Sequence, residues 1–138
     1  GASFKHGGTG AATLKCVSSS TGTVEVVSGG LTFAPEATWV NASAARVSGS
    51  TMTLQGNAVF SKKTDVFIAS GATMALDFDG VQTVRDLYVN GSATPLPIGV
   101  YGASDNPNVP AGNRLASLTG RGLLRVHGAH PGLILVVQ

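Results

Sequence analysis

The sequence predicts an all-β chain wound as a short right-handed parallel β-helix, a β-solenoid of three or four coils closed by an irregular C-terminal β cap. Three observations carry that prediction. Val26, Val47 and Ile68 stand 21 residues apart, and each opens the same phrase: Val26-Val-Ser-Gly-Gly-Leu-Thr-Phe33, Val47-Ser-Gly-Ser-Thr-Met-Thr-Leu54 and Ile68-Ala-Ser-Gly-Ala-Thr-Met-Ala-Leu76. The composition is 43% hydrophobic but only 12% charged, and 19 of the 138 residues are glycine. That charged share is about half that of an ordinary globular chain, and the Lys and Glu that solvate helix surfaces are scarce. Finally, no window carries a helical stripe. The nearest, Val81, Val84 and Leu87, is confined by Gly80 and Asn90-Gly91 to about two turns. A β-sandwich is the alternative fold, since it also has many short strands, but its strands have no reason to keep a fixed period.

Taken in order, Gly1-Ala-Ser3 reads as a tag remnant and Lys5-His-Gly-Gly-Thr-Gly10 as a flexible lead-in. Residues 11–138 then form one module. Strand-like pieces are expected at 12–17, 23–27, 31–34, 38–41, 45–48, 52–55, 58–61, 65–69, 73–78 and 81–89. Each is short, mostly alternating, and bounded by Gly, Ser, Asn or Pro. The repeats occupy about 23–86. From Leu87 the echo stops and Asn90-Gly91 marks a tight turn, so 87–138 reads as a cap. A solenoid must cover the strand edges and the apolar cross-section at its ends. The run Leu133-Ile-Leu-Val-Val137 is expected as a last strand.

The period also sorts side chains. It places Trp39, Phe60 and Val81 at equivalent coil positions, predicting a ladder inside the solenoid in which each large side chain contributes about 1.5–3 kcal/mol. Trp39 is therefore expected in the core rather than as a sugar platform. Cys16, in register with Leu14, is expected as a small buried hydrophobe. It is the only cysteine, so no intramolecular disulfide forms.

Some function classes are disfavoured. Net charge is +2 and the nine basic residues are scattered, with only Lys62-Lys63 adjacent among the lysines. A nucleic-acid surface needs a clustered basic face with stackable aromatics, so no nucleic-acid partner is expected. No apolar run approaches the roughly 18 residues that would span a membrane as a helix.

The period near 21, with Gly-Leu-Thr-Phe-like cores, resembles the autotransporter-associated β-helical repeats of bacterial surface and secreted proteins. The tail is similar to the C-terminal pattern of that family at Leu87-Tyr-Val-Asn-Gly91, Pro97-Ile-Gly-Val-Tyr-Gly102 and Leu118-Thr-Gly-Arg-Gly-Leu-Leu-Arg-Val126. The resemblance covers roughly residues 23 to 126 and rests mostly on turn glycines and β apolars. The run at 133–137 extends past where the family pattern stops. The resemblance implies a module of a larger exported bacterial protein, secreted or at the cell surface. It implies a carbohydrate-associated setting, with a polysaccharide and the neighbouring domains of the parent chain as partners. It supplies no catalytic residue.

The residues themselves offer two candidate sites. Asp77 and Asp79, in Asp77-Phe-Asp-Gly80, project to one side of a strand opposite Phe78. Such a pair could begin an oxygen-ligand site for calcium, although the fuller Asp-x-Asp-x-Asp-Gly spacing is absent and solvated acids at a turn are the plainer reading. No other cofactor is expected. His6, His127 and His130 could gather a metal only if both termini met, and His127 and His130 have no other identifiable third ligand, so all three read as solvated. Tyr88 lies between the inward-reading Leu87 and Val89 and so points outward, while Tyr101 precedes Gly102 as either a packed or an exposed turn aromatic. Tyr88 and Tyr101, with Asn90 and Asp86 as polar partners, are the candidate carbohydrate-binding residues; the plainer reading is surface tyrosines without a ligand. A glycosidase needs two carboxylates converging at about 5–10 Å; the closest cluster among the seven acids is Asp77 and Asp79 with Asp86 nearby, for which solvated acids are the plainer reading. The sequence thus favours a non-catalytic, carbohydrate-binding accessory module. A structural spacer, cap or assembly module is one alternative, and a fragment of a carbohydrate-active enzyme is the other.

Overall fold

The computed structural model describes residues 3–128. Strand alternation sets its architecture. One face stacks β1 (Phe4–His6), β3 (Thr23–Val26), β5 (Ala44–Val47), β7 (Asp65–Ile68) and β10 (Leu87–Val89), all parallel. A second face stacks β2 (Ala12–Leu14), β4 (Leu31–Phe33), β6 (Thr51–Leu54), β8 (Thr73–Leu76) and β13 (Leu118–Thr119). Successive coils lie in register, Val24 beside Ala45 beside Val66 beside Leu87 on one face, and Leu31 beside Met52 beside Met74 on the other. The chain is therefore a parallel β-solenoid of about four turns. Every second side chain enters its interior: Val24, Val26, Phe33, Val47, Met52, Leu54, Val66, Met74 and Leu76 have no exposed surface.

The turn between the two faces needs a left-handed residue. Gly29, Ser50 and Gly71 fill it in successive coils, with φ of 80°, 61° and 83°. At Gly29 a Cβ would strike the carbonyls of Gly8 and Gly10 in the coil below, so only glycine fits.

The third side is mostly corners. Pieces expected as strands at 38–41 and 58–61 instead bend, because backbone turns close on both sides of each: Ala37 N–H donates to the Ala34 carbonyl at 2.9 Å, Ala42 N–H to Trp39 at 3.1 Å, and Thr64 N–H to Ser61 at 3.0 Å. A single bridge, Val17 to Thr38, remains between the first two coils. Among the first four coils of the described residues, the fourth alone has a strand here, β9 (Val81–Val84). The piece expected at 81–89 thus divides at the corner Arg85-Asp86 into β9 and β10.

Two boundaries shift. Residues 4–6, expected in a flexible lead-in, form β1, and the glycine-rich stretch after them is the first corner. Ser28 Oγ donates to the Gly8 carbonyl at 2.9 Å, and His6 Nε2 lies 2.8 Å from the Gly10 carbonyl. The first coil escapes the 21-residue echo because its spacing contracts: Phe4 faces Val24, and Ala12 faces Leu31. At the other end Leu87–Val89, expected in the cap, is the fifth rung of the first face.

The cap begins after β10. The chain leaves the stack through β11 (Gly99–Ala103), a short 3-10 turn (Ala111–Asn113) and β12 (Arg114–Leu115), then returns as β13 and β14 (Leu123–Val126). β14 continues the third side in parallel with β9, and β11 lies antiparallel on it, Tyr101 opposite Leu124. The antiparallel β11 interrupts the parallel ladder, and the two-residue β12, parallel to β11, forms the short outer edge. The expected strand at 133–137 and His130 lie outside the described residues.

The aromatic ladder exists with one substitution. Trp39 is 7% exposed, and Phe33 meets it edge-on at 6.4 Å and Phe60 at 5.4 Å between ring centroids. The rung after Phe60 is Gln82 rather than Val81. The step from Met52 to Met74 carries one extra residue, which turns Val81 half outward and Gln82 inward, to 1% exposure. Because the corner at Val59 and Phe60 is not a strand, its N–H groups lack ladder partners. Gln82 Oε1 accepts both, at 2.8 and 3.2 Å, and its Nε2 donates to the Thr83 carbonyl at 2.7 Å.

Cys16 is exposed, not buried. The first coil has no coil beneath it among the described residues, so Phe4, Ala12 and Leu14 are only half-buried and Val17 is 78% exposed. Trp39 Nε1 lies 3.5 Å from the Cys16 sulfur, which covers it from one side.

Candidate functional site

Parallel in-register stacking aligns outward side chains as strictly as inward ones. On the first face, Lys5, Glu25, Arg46, Phe67 and Tyr88 occupy one row across β1, β3, β5, β7 and β10. Rungs are about 4.8 Å apart, which suits flat side chains lying face to face. Phe67 and Tyr88 stack with centroids 4.5 Å apart and planes within 10°. The Arg46 guanidinium covers the other face of Phe67, its Cζ 4.1 Å from the ring centroid. Beside this stack runs a groove of about 290 Å³ lined by Arg46, Ser48, Phe67, Ala69, Tyr88 and Ser92, among others.

The surroundings keep Tyr88 neutral. Burial pushes its hydroxyl up from the ordinary tyrosine value, the Asp86 and Asp65 carboxylates add to the shift, and Arg85 opposes it. Asp65 is held by Arg85 in a bidentate pair, Nε–Oδ1 2.8 Å and Nη2–Oδ2 2.5 Å. Ser48 Oγ donates to Glu25. Among the described residues Arg46 makes no ion pair within 4 Å.

The four predicted sugar-binding residues separate. Tyr88 points outward, as alternation required, and lines the groove. Asn90 is exposed in the left-handed conformation, φ 57°, and makes the turn that brings Gly91 and Ser92 to the groove. Asp86 is half-buried at the corner before β10, where its carbonyl accepts from Val66 N–H at 2.8 Å and its carboxylate acts on Tyr88 and Arg85. Tyr101 does not belong to this surface. It is 4% exposed in the cap core, and its hydroxyl donates to the Pro97 carbonyl at 2.6 Å.

Burial of Tyr101 raises its ionisation above the ordinary value near 10. The folded chain then holds this proton more tightly than the unfolded chain. The associated stability is intact below about pH 10 and is lost as pH rises through the folded-state value. Tyr101→Phe is expected to flatten, in part, the fall of melting temperature between about pH 9 and 11. Tyr88, shifted in the same direction, adds to that fall. Thermal melts across that range check this.

Asp77 and Asp79 project from one side, as expected, with Phe78 buried between them at 3% exposure. Their partner is Arg121 of the cap, Nη1 to Asp77 Oδ1 at 2.7 Å and Nε to Asp79 Oδ1 at 2.8 Å. A guanidinium occupies the place where the pair could have begun a calcium site, and the acids are ion-paired rather than simply solvated. Among the described residues no group of three or more His, Cys, Asp or Glu could hold a metal ion. Asp79 first, then Asp77, holds Arg121 above its usual range. All three side chains are more than half exposed, so solvent screens the pairs and they tether the cap rather than stabilise it appreciably. His6 and His127 sit on the first coil and after β14, far apart in the stack.

Phe67 and Arg46 escaped the sequence reading, although the signal was present: each lies one 21-residue step before the next outward residue of the row ending at Tyr88. No family model, curated protein or solved structure matches the chain.

Proposed function

We propose that this chain is a non-catalytic carbohydrate-binding module that takes a glycan along its first face, against Phe67 and Tyr88. The observation that carries the reading is the parallel-stacked aromatic pair standing outward beside a groove. Outward rings gain from covering apolar area, and the C–H face of a pyranose offers such area with hydroxyls at its rim. Ser48, Ser92 and the neutral Tyr88 hydroxyl supply polar groups for that rim, the usual composition of a small-ligand site. Three of the seven carboxylates are held in ion pairs, Asp65 by Arg85, and Asp77 and Asp79 by Arg121. The resemblance to autotransporter-associated repeats supports an exported bacterial setting, secreted or at the cell surface, within a larger protein.

Affinity electrophoresis through gels containing soluble polysaccharides tests this. Retardation by at least one polymer is expected, and Tyr88→Ala is expected to weaken it at least tenfold, about 1.4 kcal/mol. Tyr101→Phe is expected to leave it unchanged. Migration unaffected by every polymer of a broad panel would leave the structural reading. That reading has its own support in the uncovered apolar residues of the first coil, the kind of surface a solenoid covers with a further packed element.

A further inference from the structure

Arg46 gives the groove a charge preference. Its guanidinium lies flat on Phe67 at 4.1 Å, which holds it at the groove wall, and among the described residues it makes no ion pair within 4 Å. Glu25, one rung before it, forms no ion pair with it and accepts the Ser48 hydroxyl, so the guanidinium edge stays open although a negative charge stands beside it. A guanidinium so placed stacks through its face and leaves N–H groups at its edge, the fork that matches a carboxylate in two parallel hydrogen bonds. The remaining wall, Phe67 and Tyr88, suits the ring that would carry such a carboxylate.

We infer that the glycan taken by this face is acidic, a uronate-containing polysaccharide whose sugar ring packs against the groove-side edges of the Phe67–Tyr88 stack and whose carboxylate pairs with Arg46. The inference rests on the carbohydrate-binding reading and specifies the ligand class of the same groove.

The test pairs each of three uronate polymers, polygalacturonate, alginate and a glucuronate-containing xylan, with its methyl-esterified counterpart, which keeps the rings and removes the charge. Affinities are measured calorimetrically for the chain and four variants, Tyr88→Ala being the one that reports whether the aromatic stack is required. At least one acidic polymer is expected to bind at least tenfold more tightly than its ester. Arg46→Gln is expected to abolish that preference while residual binding to the ester stays. Lys15→Gln, which removes an equal charge from the first coil, is expected to leave the preference intact and so separate the groove from a general effect of net charge. Glu25→Gln is expected to strengthen acid binding about two- to fivefold by removing the neighbouring negative charge. Equal affinity for acid and ester in every pair, with Tyr88 still required, would overturn the acidic-ligand inference and leave the carbohydrate reading standing. Arg46→Gln losing acid and ester alike would overturn it too, showing that Arg46 only props Phe67. Binding to none of the six polymers overturns the acidic-ligand inference, and the neutral polysaccharide panel then decides the broader reading.

Discussion

Replacing Phe33 by alanine is expected to cost about 3–5 kcal/mol of folding stability. Phe33 has no exposed surface and touches two other rings edge-on, Trp39 in the following corner and Phe60 one coil further. Removing it deletes the buried transfer free energy of a phenyl ring and both edge-to-face contacts. A cavity is also left, which the stack cannot close, because each coil is hydrogen-bonded in register to its neighbours. A chain of this size has a total stability of about 5–15 kcal/mol, so the loss is a large fraction of it. Melting should fall by about 10–20 °C. An equivalent outward change such as Thr32→Ala, one residue away, should stay within about 0.5 kcal/mol. Denaturant titrations of the two variants make the comparison. Equal effects would mean that the inward and outward assignments of β4 are mistaken.

Gln82→Leu is expected to destabilise the chain by about 2–5 kcal/mol even though it makes the core more apolar. Area alone predicts the opposite sign. Val59 and Phe60 are almost fully buried, and their N–H groups both end on Gln82 Oε1. Leucine fills a similar volume but accepts no hydrogen bond, so two buried donors lose their partner, each at about 1–3 kcal/mol. Gln82→Glu should be milder if the acid is protonated, since one carboxyl oxygen still accepts, and it should make stability depend on pH. Equilibrium unfolding of both variants decides the matter. A stabilised Gln82→Leu would show that the corner finds other partners.

Gln82 also shows where sequence reading stopped. The fold was legible because the inward positions of the coils are apolar at a constant phase, Val26, Val47 and Ile68 on one face and Leu31, Met52 and Met74 on the other. A fixed period is blind to a one-residue insertion, and the longer step between Met52 and Met74 moved the third side out of phase. A strict 21-residue step from Phe60 lands on Val81 rather than on its polar neighbour Gln82. The first coil stayed hidden for the converse reason: its corners are shorter, and Gly7, Gly8 and Gly10 resemble a linker until their carbonyls are seen to receive Ser28 and His6.

The candidate site was half legible. Alternation alone placed Tyr88 outward, and it is outward. Tyr101 carried no such signal, because an aromatic before a glycine packs or projects according to which strand lies against it. That strand, β14, becomes its neighbour only through an excursion out of the stack. Asp77 and Asp79 were correctly placed on one side, but their partner comes from 42 residues later in the chain, Arg121 to Asp79, a separation that no local motif encodes. Phe67 and Arg46 are visible in the sequence once the period is applied to outward positions. Side chains repeating outward at the coil period are candidates for a continuous binding surface, just as inward ones are for the core.

The most direct test of the functional account is to observe where a sugar touches the folded chain. Isotope-labelled protein titrated with soluble cello-, xylo-, manno- and galacturono-oligosaccharides, followed by amide and aromatic chemical shifts, locates any contact to single residues. The account predicts saturable shifts confined to the first face at Arg46, Ser48, Phe67, Tyr88 and Ser92, with the cap around Asn106 and Arg121 unmoved. Shifts clustered on the cap or the second face, or none with any oligosaccharide, would contradict it.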